Sequence, residues 1–214
     1  MKYRHELKYA INYADFLDLK MRLSKFLKVD PHSDNGIYTI SSLYFDTLNN
    51  KAVFEKLDGE SYREKYRIRY YGDDTDNIYL EKKVKIDMLG YKERVKIDKT
   101  EVEKILNRES SLSSKYGIEI TDELFPKTIV QYKRYAYLYN IGDIRITLDF
   151  NIKSTPHVDK FLNLKDIAMI HDNRVVLEIK YDDIIPLFIR DLLLLPDNYL
   201  TDNSKYLRAR VYDI

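Results

Sequence analysis

Basic side chains recur at every second position in several short segments of the chain. Lys65, Arg67 and Arg69 form one such set, and their neighbours in between are tyrosine or isoleucine. Further sets are Glu81, Lys83 and Lys85; Lys92, Arg94 and Lys96; and Glu178 and Lys180. A period of two places alternate side chains on one face of a β-strand. Lysine and arginine gathered on such faces suit the binding of phosphate oxygens.

Acidic residues accompany these cations at the same spacing. Glu6 stands two residues before Lys8, Glu81 two before Lys83, and Glu178 two before Lys180. Carboxylate oxygens are the hard ligands that Mg²⁺ and Mn²⁺ prefer. A metal that bridges phosphate oxygens neutralises the charge that develops in phosphoryl transfer. Glu178, Glu6 and Glu81 are therefore candidate metal ligands.

Each charged strand also has an ordinary explanation. Antiparallel sheets often expose one face to water, so a single alternation of charged and apolar residues indicates only an outer and an inner face. The set as a whole is less ordinary, because six or seven predicted strands carry a lysine or arginine. Protection of sheet edges requires such charges only at the edges. A barrel closed around the charged face would bring the cations together, and a bound polyanion would relieve their repulsion.

The elements that must position these residues are mostly strands. About eight are predicted, including segments around Arg4–Ala10, Tyr38–Phe45 and Val175–Tyr181, and a hairpin of 128–139 with 144–152 around Asn140–Asp143. Gly90 is expected to mark a turn. We expect a mainly β (α+β) fold, an eight-stranded antiparallel β-tunnel or barrel with flanking helices.

Four helices are predicted around the strands. Asn12 is a suitable cap for a helix that runs to about Leu27. A capping-box pattern beginning at Thr100 predicts a short helix to Asn107. The segments 184–195 and 204–212 are expected to form an apolar helix and a terminal one.

Composition narrows the possible classes of protein. The chain has 214 residues, and we expect one domain over residues 1–214. The 36 lysines and arginines nearly balance the 35 acidic residues, which argues against a nucleic-acid partner. Cysteine is absent, which excludes disulfides and thiolate metal sites and fits a cytoplasmic location. No secretory signal and no apolar stretch of about 20 residues, the length of a membrane span, is visible.

Other chemical motifs are weak. The four histidines, His5, His32, His157 and His171, are scattered and are interpreted as surface or turn residues. Glycine-rich phosphate loops are absent. Asp46 could cap the turn that follows it or face the site, and capping is the favoured role.

Several motifs, taken in order, resemble those of a known family, the catalytic domain of the vacuolar transporter chaperone (VTC) polyphosphate polymerases within the triphosphate tunnel metalloenzyme superfamily. The resemblance covers nearly the whole chain. Its anchors are the segments 6–9, 42–47, 65–72, 80–83, 132–134, 145–149, 177–180 and 203–206.

The resemblance implies an eight-stranded tunnel, ATP as phosphoryl donor, polyphosphate as acceptor, and Mn²⁺ or Mg²⁺ bound by Glu178. It implies catalytic contacts with phosphate for six cations: Arg67, Arg69, Lys83, Arg134, Arg145 and Lys180. It also implies a set of substrate-binding residues: Lys8, Lys92, Arg94, Tyr132, Ser204 and Lys205. The turn before Lys92 is shorter than the family pattern, so Lys96 competes with Lys92 and Arg94 for this role. The first strand lacks the full Glu-x-Glu-x-Lys pattern of other tunnel enzymes, which favours the polymerase-like branch.

Three further functions remain open at this point. The same residues would serve hydrolysis of tripolyphosphate or a nucleoside triphosphate, with Glu6 or Glu81 positioning water. They would also serve a polyphosphate-binding module without catalysis. A β-sheet protein with a solvated charged face and no site is the fourth interpretation. Any membrane or accessory partner is left unidentified by the sequence.

Overall fold

The computed structural model describes residues 4–33, 36–87, 89–165, 167–195 and 204–210. Ten strands are assigned there: β1 (His5–Ile11), β2 (Lys28–Val29), β3 (Ile37–Asp46), β4 (Tyr62–Tyr71), β5 (Asp74–Ile86), β6 (Leu89–Ile97), β7 (Phe125–Tyr139), β8 (Ile144–Thr155), β9 (Ile170–Asp172) and β10 (Val175–Tyr181). The α-helices are α1 (Tyr13–Phe26), α2 (Lys51–Leu57), α3 (Lys99–Leu106), α4 (Leu187–Leu192) and α5 (Lys205–Arg210). Short 3₁₀ turns cover Ser114–Tyr116, Ile141–Asp143 and Val158–Lys160.

The chain forms two compact units. The first unit comprises residues 1–39, 132–152 and 171–204, and the second comprises 40–131, 153–170 and 205–214. Strands β3, β7 and β8 contribute residues to both units because the chain passes between them there. The prediction of one domain over the whole chain stays a prediction.

In the first unit, β10 lies between β1 and β8, and both pairings are antiparallel. The apolar face of these strands packs against α1 through a core that includes Leu19, Leu23, Leu148 and Leu177. Asn12 caps α1, since its side chain accepts a hydrogen bond of 2.8 Å from the Asp15 amide. The predicted cap and the predicted extent of this helix are confirmed.

In the second unit, β3, β4, β5 and β6 follow one another as antiparallel neighbours. Their apolar face includes Leu43, Ile68 and Leu80, which share a core with Val102 of α3. Gly90 lies inside β6 rather than at the turn that the sequence analysis expected. A Cβ atom there would meet the Val84 carbonyl oxygen at 2.9 Å, so the close approach of β5 and β6 requires glycine.

Two helix predictions, those of α3 and α4, need correction at their ends. α3 begins at Lys99 after Asp98, which places Thr100 inside the first turn, where it cannot act as the cap. α4 begins only at Leu187, because Pro186 disfavours a helical conformation at the residue before it. α5 covers Lys205–Arg210, and positions 211 and 212 of the predicted helix lie outside the described residues.

The predicted antiparallel β fold with flanking helices is confirmed. The described residues do not form a closed barrel. Strand β1 is the last strand of the order in the first unit and β6 is the last in the second, and each pairs with one neighbour. A closed barrel requires every strand to have two neighbours. None of the described helices has the length and apolar character needed to cross a membrane.

Candidate functional site

Three cross-strand rows on one face of β4, β5 and β6 gather cations in the second unit. The rows are Lys65–Lys83–Lys92, Arg67–Glu81–Arg94 and Arg69–Tyr79–Lys96. Seven of these nine positions are basic and one is acidic. Like charges directly opposite each other destabilise a sheet, so this face lowers stability unless an anion compensates it.

Glu81 lies at the centre of this face and is only 1% exposed. Arg67 approaches its Oε2 atom with Nε at 2.8 Å and Nη2 at 2.7 Å, and Arg69 Nη1 lies 3.7 Å from the same oxygen. Lys92 Nζ lies 2.8 Å from Oε1, and Arg94 Nε lies 3.6 Å from it. Both carboxylate oxygens thus hold cations in place. The interpretation of Glu81 as a metal ligand stays a prediction.

The register of β6 places its three basic residues, Lys92, Arg94 and Lys96, on the same face as Glu81. Lys92 and Arg94 both converge on Glu81, whereas Lys96 donates to Asn77 Oδ1 at 2.7 Å. The Arg94 guanidinium also stacks on Tyr79, with 3.6 Å between its carbon and the ring centre. All three share the face, and Lys92 and Lys96 lie in the rows on either side of the Glu81–Arg94 pair.

The charges at this face perturb their neighbours' protonation. Burial alone would raise the pKa of the Glu81 carboxyl, but Arg67, Arg69 and Lys92 outweigh it and hold that pKa far below its usual range. Burial lowers the pKa of the Lys92 amine, although Glu81 opposes this effect. Glu81 is therefore a permanent anion near neutral pH.

Two residues of β3 complete this cluster, and both lie in the family motif 42–47, although neither was predicted to be a site residue. Ser42 accepts a hydrogen bond of 2.9 Å from Arg69 Nε, and the Tyr44 hydroxyl accepts one of 3.3 Å from Arg67. Burial opposes ionisation of Tyr44, yet Arg67 and Arg69 lower the pKa of its hydroxyl. Their period-two spacing indicates that Ser42 and Tyr44 share a face of β3. The sequence argument relied on charged side chains, and neither of these residues carries a charge.

Helix α5 adjoins the same cluster. The Tyr206 ring stacks on Tyr44 with 5.2 Å between ring centres, and its hydroxyl donates to Asp46 Oδ2 at 2.7 Å. Asp46 Oδ1 accepts from the amides of Thr47 and Ala52, which confirms its predicted capping role. Lys205 begins α5, and its charge helps to lower the pKa of Tyr44. Ser204 is half-buried just before the helix.

The first unit carries its own charged rows on β1, β10 and β8. They are Glu6–Lys180–Arg145 and Lys8–Glu178–Thr147. Lys8 Nζ lies 2.9 Å from Glu6 and 3.5 Å from Glu178. Lys180 Nζ lies 3.1 Å from Glu178 and 3.9 Å from Glu6. Two carboxylates and two lysines thus form a compact cluster in which charges alternate.

Glu6 and Glu178 satisfy part of what a divalent cation requires. Their side chains are 17% and 9% exposed, and they share both lysines, so their oxygens lie close together. Mg²⁺ is commonly held by one or two carboxylates together with substrate phosphates. No group of three or more histidine, aspartate or glutamate side chains suitable for a metal occurs among the described residues. The pair therefore fits a cation that phosphate oxygens help to bind.

Lys8 remains charged within this cluster. Burial acts to lower the pKa of its amine, but Glu178 and Glu6 outweigh burial and raise that pKa above its ordinary value. The cluster has no excess of cations by itself. An anion that drew the lysines away would leave the two carboxylates in need of positive charge.

The remaining candidates in the first unit have acidic partners. Arg134 binds Asp149 with both nitrogens of its fork, with Nη2 at 2.7 Å, and lies over the Tyr132 ring. Arg145 Nη2 donates to Asp30 Oδ2 at 2.8 Å and to the Tyr38 hydroxyl. Asp30 and Tyr38 were not singled out from the sequence, because they lie more than 100 positions from Arg145 along the chain.

The four histidines play no part in these clusters. His5, His32, His157 and His171 are all exposed, as predicted. His5 stacks on Tyr181 with ring centres 5.1 Å apart.

A family model described as the VTC domain matches residues 3–212, almost the entire chain. The chain belongs to the VTC domain family. The resemblance inferred from the motifs is thereby confirmed. A comparison with curated proteins gives no significant match.

Solved structures similar to this VTC domain are distant from it in sequence. A protein of Bacillus halodurans proposed to be an adenylate cyclase is 15% identical, with a TM-score of 0.52, and the match covers 84% of this chain and 82% of that one. A Pyrococcus horikoshii OT3 protein is 16% identical over 89% and 84% of the two chains, with a TM-score of 0.48. The Mimivirus capping enzyme triphosphatase is 14% identical over 89% and 85%, with a TM-score of 0.42.

Proposed function

We propose that this VTC domain transfers phosphoryl groups from ATP to a growing polyphosphate chain with the aid of a divalent metal. The observation that carries the proposal is the face of β4, β5 and β6, where seven cations surround one carboxylate. Membership of the VTC family supports a function in phosphoryl transfer.

The excess of cations on this face matches a polyanion. Three lysines lie in one cross-strand row, an arrangement that is unfavourable without a counter-charge. Arginine binds phosphate oxygens through its planar fork, and lysine supplies compact charge. Glu81 fixes four of the cations, so little ordering would be required of them when phosphate binds.

In the first unit, we assign the metal to Glu178 and Glu6. The fit rests on two neighbouring, largely buried carboxylates whose partners are the amines of Lys8 and Lys180. Bound there, Mn²⁺ or Mg²⁺ would neutralise charge on the transferring phosphoryl group. Lys8 and Lys180 would then turn from carboxylate to phosphate oxygens.

The assigned roles are those that the resemblance to the VTC family implies. In the second unit, Arg67, Arg69 and Lys83 are proposed to contact phosphates. In the first unit, Arg145 and Lys180 are proposed to do so, with Arg134 aligned by Asp149. Lys8, Lys92, Arg94, Tyr132, Ser204 and Lys205 are proposed to bind the rest of the chain. Phosphoryl transfer requires mainly position and charge stabilisation, so no dedicated general base is needed.

Incubation of the purified protein with ATP and Mn²⁺ or Mg²⁺, with and without a short polyphosphate primer, tests the proposal. We expect phosphate chains to lengthen, as seen on gels and by ³¹P NMR. Glu178→Gln should remove most of this activity, because its amide is a poorer metal ligand. Glu103→Gln, on the exposed surface of α3, is the matched control and should retain activity.

The outcomes separate the competing functions. Release of orthophosphate without longer chains would contradict synthesis and select hydrolysis of tripolyphosphate or a nucleoside triphosphate. Tight binding of polyphosphate without turnover, unchanged in Glu178→Gln, would select a binding module. Absence of both binding and turnover would leave only a solvated charged face.

A further inference from the structure

Thr147 lies on the charged face of β8 in the first unit, directly opposite Glu178 of β10. It is 2% exposed, and its Oγ1 atom is buried without a hydrogen-bond partner in the part of the chain that the structure describes. Its neighbours Ile146 and Leu148 point the other way, into the apolar core. The hydroxyl therefore faces the carboxylate–lysine cluster rather than the core.

A buried hydroxyl without a partner destabilises a protein, because it loses its hydrogen bonds to water. Valine would fill nearly the same volume and suits a strand equally well. The contacts of the described residues thus give the Thr147 hydroxyl no stabilising role. Its position beside Glu178 indicates that it acquires a partner when that carboxylate changes its own contacts.

The distances permit this exchange. Directly opposite residues of an antiparallel pair have Cβ atoms about 4.5–5.5 Å apart, so the threonine hydroxyl can reach the glutamate side chain. The Glu178 oxygens now lie near two amines, Lys180 at 3.1 Å and Lys8 at 3.5 Å. When those amines turn to phosphate oxygens, the carboxylate can give one oxygen to a cation and the other to Thr147.

We propose that Thr147 is a positioning residue, which donates a hydrogen bond to the Glu178 carboxylate and orients it for a divalent cation. Metal-ligating carboxylates are generally held by such donors, and losing the donor commonly costs about 10–100-fold in metal affinity. The inference rests on the proposed function in one respect, the assignment of Glu178 as a metal ligand.

The test compares Thr147→Val with Thr147→Ser and Glu178→Gln. Binding of Mn²⁺ in the presence of tripolyphosphate is measured by electron paramagnetic resonance, and thermal unfolding is followed without metal or phosphate. Thr147→Val should weaken Mn²⁺ binding about 10-fold or more. Its unfolding temperature without ligands should equal or exceed that of the wild type. Thr147→Ser should recover Mn²⁺ binding.

Thr128→Val is a matched control in the second unit. Thr128 is 1% exposed, and its hydroxyl already donates to the Thr155 carbonyl oxygen at 3.2 Å. Removing this hydroxyl should lower the unfolding temperature and leave Mn²⁺ affinity unchanged. Thr147→Val should therefore weaken Mn²⁺ binding without lowering the unfolding temperature, whereas Thr128→Val should lower the unfolding temperature without weakening Mn²⁺ binding.

Each contrary result overturns a defined step. Wild-type Mn²⁺ affinity in Thr147→Val, together with a loss in Glu178→Gln, would overturn the role of Thr147 while the metal assignment stands. A lower unfolding temperature of Thr147→Val without ligands would show that the hydroxyl already has a structural partner. Unchanged Mn²⁺ binding in Glu178→Gln would overturn the metal assignment itself, and the role of Thr147 with it.

Discussion

Glu81 illustrates how one residue can organise a binding surface. It is the acidic centre of three rows that otherwise contain seven cations and a tyrosine. Four of those cations lie within 4 Å of its two oxygens, and the side chain is almost fully buried. Its contribution is to allow arginines and lysines to lie side by side before any phosphate arrives.

Replacing the Glu81 carboxylate should show how far the folded state depends on it to hold the neighbouring cations. We expect Glu81→Gln to lower the free energy of unfolding by about 3–5 kcal/mol, because cations held by a buried partner are left uncompensated. Denaturant unfolding with and without tripolyphosphate measures the effect. The polyanion should restore more stability to the variant than to the wild type.

The pH dependence of stability supplies a second measurement of the same variant. The folded protein holds the pKa of Glu81 far below that of an unfolded glutamate, about 4.3. Its stabilisation is therefore complete above that pH and declines as the pH falls toward the folded value. Glu81→Gln should show a weaker loss between neutral and acidic pH, while Glu103→Gln, an exposed control, should behave as the wild type. A variant as stable as the wild type at neutral pH would contradict this account.

Among the elements, α5 is anchored in the second unit by ring stacking and side-chain hydrogen bonds. Tyr206 stacks on Tyr44 and bonds to Asp46, and Arg210 Nη2 donates to Asn50 at 2.9 Å. Burial and the Asp46 carboxylate raise the pKa of the Tyr206 hydroxyl above its ordinary value, so this donor stays protonated near neutral pH. The anchor places Lys205 near Tyr44 and the arginines of β4.

Tyr206→Phe should loosen α5 without changing the charged face directly. A hydrogen bond to a charged acceptor contributes about 1.5–3 kcal/mol, and we expect a loss of that size in unfolding free energy. Amide exchange should become faster in α5, and tripolyphosphate should bind more weakly. Tyr13→Phe removes an exposed hydroxyl and serves as the control. Unchanged exchange in α5 would show that the ring alone anchors the helix.

At the scale of the whole molecule, each unit carries charged rows of its own. The first has carboxylates and lysines in alternation, whereas the second has a large excess of cations. The family match spans residues of both units. We therefore expect both to contribute to phosphate binding.

Single neutral substitutions in each unit test this expectation. Lys83→Gln in the second unit and Lys180→Gln in the first should each weaken tripolyphosphate binding about 10-fold, the loss expected for one charge-assisted hydrogen bond. Isothermal titration calorimetry at several ionic strengths measures it, and binding by the wild type should weaken with salt. Lys133→Gln removes the same charge from an exposed position of β7 and should have no effect. An effect in only one unit would confine phosphate binding to that unit.

The sequence by itself determined which residues share a face, because side chains of a strand alternate with a period of two. Lys65, Arg67 and Arg69 could be assigned to one face of a strand on that ground, and Asn12 to a helix cap. The tertiary structure decided which cations meet Glu81, since the registers of β4 and β6 against β5 place them beside it. It also decided that β1 and β6 are end strands and that Thr147 is buried beside Glu178. Such contacts join residues far apart in the chain, and only three-dimensional packing brings them together.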